Sequence, residues 1–307
     1  MTIAIISHPD CVLHRATEGH PERPERVQVI QEALARYSFQ APVQFLEAPL
    51  AAREHLIRPH DEAYVDWIIS IAPKDEGLIG IDADTYMNPY TLNAAFHAAG
   101  AVILAVDLVM QDKAQAVFCN VRPPGHHAER EKAMGFCFFN NVAVGAHYAI
   151  EKYHLERIVI IDFDVHHGNG TQNIFQQDKR IMYCSSFQHP FYPGFDEEMD
   201  SPHILGVPLP AGTMGDTFRE RVQAAWFDKI AAFQPQLIFF SAGFDAHAND
   251  PLAELNLTVA DYVWLTAQMA KIAKVHCGGK MISVLEGGYN LEVLAECVPA
   301  HVNAMVI

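Results

Sequence analysis

The 307-residue chain has no unbroken run of 18 apolar residues, so no membrane-spanning helix is expected. Its first ten residues, MTIAIISHPD, lack a basic start followed by a long apolar stretch. That argues against a secretory signal and points to a cytoplasmic protein. Basic residues are scarce: 21 Lys and Arg face 37 Asp and Glu, for a net charge of −16. Phosphate contact needs basic surface, so direct nucleic-acid binding is not expected, whereas cationic ligands are mildly favoured. No two of the six cysteines, at 11, 119, 137, 184, 277 and 297, form a CxxC pair. Free, half-buried thiols are expected rather than disulfides. There is no internal repeat, low-complexity tract or Pro/Ser-rich linker. The simplest organisation is therefore one domain over 1–307, and 50% hydrophobic residues are enough to build its core.

Short apolar runs stand at 3–6, 116–119, 158–163, 181–184, 237–240 and 281–285. Helix-like stretches separate them at 24–37, 61–72, 91–111, 140–152, 216–233, 258–275 and 290–304. Fully apolar strands alternating with helices predict an α/β fold with a mainly parallel sheet covered on both faces. In such sheets ligands bind at the carboxyl ends of the strands. Five of these ends carry polar or Gly-rich clusters: NVRPPGHH, FDVHHGNG, SSF, SAGFD and EGGYN. One active site explains that pattern better than scattered structural roles do.

Residues i and i+2 of an extended segment share a side. Asp164 and His166 can therefore converge on one ion, with Asp245 as a third ligand. Two carboxylates and one imidazole leave a fourth position for water, as catalytic zinc requires. Fe(II) or Co(II) also suits this donor set. Asp162 reads either as a buried acid capping backbone amides or as a carboxylate orienting an imidazole. Its backbone, with those of Asp164 and His166 and the Ser185 hydroxyl, could also ring a monovalent cation.

His126 and His127 follow a rigid Pro-Pro-Gly turn. They could transfer protons, ligate the metal themselves, or be structural. Tyr289, after two glycines, is either a packed turn aromatic or a phenol that donates to a developing oxyanion. Phe136 and Tyr192 are either core residues or the walls of a slot for a methylene chain.

Taken together, GHPERPERV (19–27), RPPGHHA, GFCFFNN, DFDVHHGNGTQ, SAGFDAH, DPLAELNLT and LEGGYNL (285–291) resemble the histone deacetylase superfamily. That superfamily includes acetylpolyamine amidohydrolases and acetoin-utilisation proteins. HPERPERV and HHGNGTQ look like its class II branch. The resemblance implies an arginase-like α/β fold and a zinc amidohydrolase that acts on N-acetyl-lysine or a similar linear N-acyl amine. It places zinc on Asp164, His166 and Asp245. It makes His127 the general base and then acid, His126 with Asp162 the electrostatic partner, and Tyr289 the oxyanion donor. It implies that Gly135, Phe136 and Tyr192 line the substrate tunnel, the last being usually Phe in the family. Asn169 stands where class I members carry an acid. Arg26 resembles the arginine of an internal channel behind the metal. Potassium is implied at Asp162, Asp164, His166, Ser185 and Ser186, with a second ion near Phe175, Asp178 and Ile181. Asp84 is the expected rim acid.

An acetylpolyamine amidohydrolase is the alternative substrate reading. Polyamine-selective relatives resemble one another in carrying Glu after DP, where this chain has Leu252, although Asp82 or Asp84 could take over that role. A catalytically silent acyl-lysine reader is the alternative of another class. It fits the intact ligand set, histidine pair and Tyr289 poorly. The oligomeric state stays open.

Overall fold

The computed structural model describes residues 2–194 and 201–306. The strands are β1 (Ile3–Ser7), β2 (Val43–Glu47), β3 (Ile79–Gly80), β4 (Tyr86–Met87), β5 (Ala116–Cys119), β6 (Ile158–Asp162), β7 (Ile181–Gln188), β8 (Ile204–Leu209), β9 (Leu237–Ala242) and β10 (Met281–Leu285). The helices are α1 (Glu25–Arg36), α2 (Arg53–Leu56), α3 (Glu62–Ile71), α4 (Thr91–Met110), α5 (Asn141–Tyr153), α6 (Asn169–Phe175), α7 (Gly215–Val222), α8 (Asp228–Phe233), α9 (Val259–Cys277) and α10 (Leu291–Ala304).

Eight strands form one sheet in the order β2-β1-β5-β10-β9-β6-β7-β8, and every pairing in it is parallel. β3 and β4 make a separate antiparallel ribbon. Side chains alternate between two cores, as the pleat requires. Ile3, Ile5, Phe118, Val159, Ile161 and Phe240 pack with α1, α9 and α10. Ala4, Ile6, Val117, Ile160, Phe239 and Val284 pack with α4 and α5 on the other face. Burial on both faces explains why these strands read as continuous apolar runs.

The two edge strands escaped the sequence reading. β2 is half exposed and mixes polar with apolar residues. β8 carries Gly206 and Pro208, and proline is tolerated at a sheet edge, where one side of the backbone needs no ladder partner. The stretch expected as one helix at 216–233 is α7 and α8 joined by a π-helical turn, Gln223–Phe227. All six thiols are free and buried, deeper than expected.

α4 is long and apolar enough to cross a membrane, although polar residues interrupt its apolar run. In this fold 67% of its apolar window is buried inside the protein, against the sheet and α5. It is a core helix here. Helix starts are set locally: Asn140 caps α5, Asn290 caps α10, and Thr258 with Asp261 forms a capping box on α9.

Candidate active site

Four neighbouring central strands, β5, β10, β9 and β6, end at one edge of the sheet. The segments that follow them carry His126 and His127, Tyr289, Asp245, and Asp164 and His166 respectively. A cavity of about 230 Å³ opens there. His126, His127, Gly135, Phe136, His166, Tyr192, Tyr289, Asp84 and Leu252 all line it.

At its floor Asp164, His166 and Asp245 offer three donor atoms within 4.8 Å of one another. His166 Nδ1 lies 3.0 Å from Asp164 Oδ1. Asp245 Oδ2 is 3.3 Å from the same nitrogen but misaligned for a hydrogen bond. It is a buried oxygen with no hydrogen-bond partner among the described residues, its nearest charged neighbour being the His166 ring. The other carboxylate oxygens are held by backbone amides: Asp164 Oδ2 by Gly287 N at 2.8 Å and Asp245 Oδ1 by Val165 N at 2.9 Å. A Cβ on Gly287 would stand 2.1 Å from Asp245 Oδ2, so only glycine fits over these carboxylates. Burial pushes Asp245 up to about 7, helped by the neighbouring Asp164 charge. Burial works against charge on His166 too, but the two carboxylates outweigh it and hold the ring at about 10. Two buried carboxylates and one imidazole, with a buried oxygen left over, are the donors a divalent cation takes.

The histidine pair stands beside this cluster, its rings 4.0 Å apart. His126 Nδ1 meets Asp162 Oδ2 at 3.0 Å. Burial opposes charge on His126, yet Asp164 and Asp162 raise it to about 10. His127 Nδ1 meets Asn169 Oδ1 at 2.8 Å. Burial, then the His126 and His166 charges, lower His127 well below the usual imidazole value. The pair therefore divides into one cationic and one neutral ring, the separation that acid–base work uses.

Tyr289 is buried, and burial with the Asp245 charge holds its phenol well above the ordinary value, so it stays a donor. Its backbone amide donates to Asp250 Oδ2 at 2.7 Å. Arg26 lies 5.0 Å from its ring centroid and donates to the Gly288 carbonyl at 2.6 Å and the Glu286 carbonyl at 2.5 Å. Phe136 takes a left-handed φ of 69° beside Gly135 at 55°. A Cβ on Gly135 would strike the His127 ring at 2.5 Å. Phe136 stands 6.1 Å from Tyr289 by ring centroids, while Tyr192 stands 5.2 Å from His127. The two aromatics thus flank different sides of the cavity. Asp84 and the exposed Leu252 and Tyr192 form its mouth.

Ser185 and Ser186 are buried on β7, away from the cavity lining, and the Ser185 hydroxyl lies 3.0 Å from His167 Nδ1. Near Phe175, Asp178 and Ile181 the chain folds into a tight turn, with Asp178 N bonded to Phe175 O and Ile181 N to Asp178 O.

Several supporting residues were not singled out from the sequence. Glu286 is fully buried; its Oε2 accepts from Gly125 N and His126 N, at 2.7 and 3.1 Å, and its Oε1 from Ser241. It ties the PPGHH turn to β9 and β10, and burial pushes it up to about 7. Glu22 binds both Arg26 and Arg122, so the HPER segment anchors the arginine under Tyr289. Tyr183 donates to Asp162 Oδ2 at 2.8 Å. Glu22 lies in GHPERPERV and Glu286 in LEGGYNL; for Glu286, an acid between an apolar strand and two glycines was the available signal.

A histone deacetylase domain model matches residues 20–305. The chain belongs to the histone deacetylase family. It is 35% identical over 289 residues to a histone deacetylase-like amidohydrolase of Pseudomonas aeruginosa, covering 92% of this chain and 76% of that one. It is 34% identical over 300 residues to a probable deacetylase of Archaeoglobus fulgidus, covering 95% and 82%. A crystal structure of the HDA15 HD domain superposes with a TM-score of 0.88 at 32% identity, over 99% of this chain and 88% of that one. Deacetylase and amidohydrolase chemistry is the activity class of this family member.

Proposed function

We propose that the protein is a zinc-dependent deacetylase of linear N-acyl amines, with N-acetyl-lysine in a peptide as the leading substrate. The observation that carries this reading is the buried Asp164–His166–Asp245 cluster, with its unpartnered Asp245 oxygen, at the floor of a cavity bearing an acid–base pair and a phenol. These residues would hold the zinc; Fe(II) or Co(II) suits the same donors. When bound, zinc supplies a Lewis acid for the amide carbonyl and a lowered pKa for water.

The chain's own residues supply the rest. Asn169 Oδ1 accepts the Nδ1 proton of His127, which leaves His127 Nε2 free to take a proton from the attacking water. His127 then returns that proton to the departing amine. His126, held charged beside Asp162, stabilises the negative charge that builds up in between. The Tyr289 hydroxyl donates to the developing oxyanion. Phe136 and Tyr192 hold the methylene chain, and Asp84 takes the substrate backbone at the rim. A potassium ion near Asp162, Asp164, His166, Ser185 and Ser186 belongs to the same proposal, since it would offset the adjacent buried acids. A second ion at the Phe175–Ile181 turn rests on the family resemblance.

Leu252 makes one side of the mouth apolar and exposed. It offers no partner for a distal ammonium, and with Asp84 engaged by the substrate backbone this favours acyl-lysine over acetylpolyamines. The test is kcat/KM for acetyl-lysine peptides, acetylputrescine, acetylcadaverine and longer acyl-lysines on the zinc-loaded protein. Turnover of acetyl-lysine above both acetylpolyamines is expected. No turnover of any linear N-acyl amine would overturn the reading.

A further inference from the structure

Outside the active site, one other group of described residues has metal-ligand geometry: His8, Asp10 and His97, whose donor atoms lie within 4.8 Å of one another. They come from separate parts of the fold. His8 directly follows β1, Asp10 lies in the 3₁₀ turn Pro9–Val12, and His97 projects from α4. The imidazole rings stack at 3.4 Å with 10° between their planes. His97 Nε2 is 3.5 Å from Asp10 Oδ2, and His8 Nδ1 is 3.8 Å from Asp10 Oδ1.

The His97 proton is placed to suit a cation. His97 Nδ1 is 2.8 Å from the Ala48 carbonyl, which can only accept, so Nδ1 carries the proton and Nε2 presents a lone pair toward Asp10. A ligating histidine anchored through its other nitrogen to a backbone carbonyl is the usual supporting arrangement. His8 Nδ1 accepts the Asp10 amide at 3.1 Å, so the neutral ring carries its proton on Nε2, and an ion bound at Nδ1 would take the place of this hydrogen bond.

A second, independent feature adjoins the cluster. His8, Glu32, Glu47 and Asn120 line a cavity of about 380 Å³. Asn120 is 1% exposed, and its Oδ1 is buried without a hydrogen-bond partner among the described residues. The Glu32 and Glu47 carboxylates beside His8 give this cavity the lining of an entry for a cation.

We propose that His8, Asp10 and His97 form a second metal site, taking one divalent first-row transition ion such as zinc or cobalt. Two imidazoles and one carboxylate favour such ions over magnesium or calcium, which prefer oxygen ligands throughout. The three ligands with a water would complete a tetrahedral set. Bound there, the ion would pin the Pro9–Val12 turn to α4. That turn carries the Cys11 carbonyl that accepts from Arg122. The site stands independently of the proposed deacetylase chemistry.

The test titrates metal-stripped full-length protein with Zn²⁺ and with Co²⁺ by calorimetry and elemental analysis. Asp10→Asn and His97→Gln are the variants, each checked for folding by circular dichroism. Asp10→Asn is nearly isosteric at a part-exposed position, so it keeps the test valid should the core His97→Gln misfold. Folded variants should bind one equivalent fewer than wild type, with the lost site having Kd below about 100 µM in wild type. Asp245→Ala should still bind the equivalent that Asp10→Asn loses, which separates this site from the active site. Unchanged stoichiometry in folded Asp10→Asn, or a wild-type Kd above that limit, overturns the proposal.

Discussion

The Nδ1–H of His127 donates to Oδ1 of Asn169 at 2.8 Å, while Asn169 Nδ2 donates to Glu129 at 2.7 Å. The amide is thereby held with its oxygen toward the ring, and the tautomer of His127 is set by a neutral partner. With burial keeping its pKa low, His127 is unprotonated well below pH 6.5, so kcat/KM should hold as the pH falls through that value. Asn169→Asp places a negative charge on Nδ1–H, raises the His127 pKa and moves the acid limb of the profile upward, by about one pH unit. His127→Ala should lower kcat by roughly two to four orders of magnitude with metal retained. Loss of the metal in His127→Ala would make that ring a ligand.

Asp245→Ala removes one of two carboxylates from the floor cluster. It should abolish metal binding at this site and deacetylation together. Elemental analysis of the folded variant checks this, and full retention of active-site zinc would show the assignment to be wrong.

Tyr289→Phe keeps the ring stacked against Arg26 and the amide bond to Asp250. Stability should therefore barely change, while kcat falls about a hundredfold to a thousandfold, the usual cost of one oxyanion donor. Trifluoroacetyl-lysine, with its more electrophilic carbonyl, should lose less. Equal acetyl-lysine rates in variant and wild type would leave Tyr289 a packing residue.

His60 is fully buried, with Nδ1 2.8 Å from the Glu129 carbonyl and Nε2 accepting from Asn140 N at 2.9 Å. Both nitrogens are satisfied only in the neutral ring, and burial lowers its pKa to about 4. The unfolded chain binds this proton near pH 6.5 and the folded one only near pH 4. The stabilisation is therefore complete above pH 6.5 and declines as the pH falls toward 4, by up to about 3 kcal/mol. Urea unfolding across that range should show the slope, and His60→Gln should flatten it by about one proton.

How much of this was legible in the sequence follows from what each residue contacts. The central strands were visible because both faces are buried and nothing interrupts the apolar run. β2 and β8 were not, because an edge strand admits polar residues and proline. The Asp164–His166 pair was legible through its two-residue spacing. Asp245 could be placed beside it only because parallel strands bring their carboxyl ends to one edge. Glu286 and Asp250 were missed because their partners are backbone amides, and a backbone amide leaves no mark in a sequence. Glu22 was missed for a related reason: Arg122 and Arg26 lie 100 residues and four residues away, and only the fold puts both on one carboxylate.

Arg26 reaches the Gly288 and Glu286 carbonyls across 262 and 260 residues of chain. The support under Tyr289 therefore joins an early helix to a late strand end. During synthesis, a nascent chain that has exposed β1 to β9 still lacks the segment that Arg26 holds. Until then its guanidinium has only Glu22 among the partners described above, and the acid–base turn lacks Glu286. Closure of so long a loop is a slow kind of step, because its entropy must be lost before any contact rewards it. Catalytic competence should accordingly arrive late and all at once, after most secondary structure has formed. A refolding experiment that follows ellipticity and turnover side by side would show the second lagging the first.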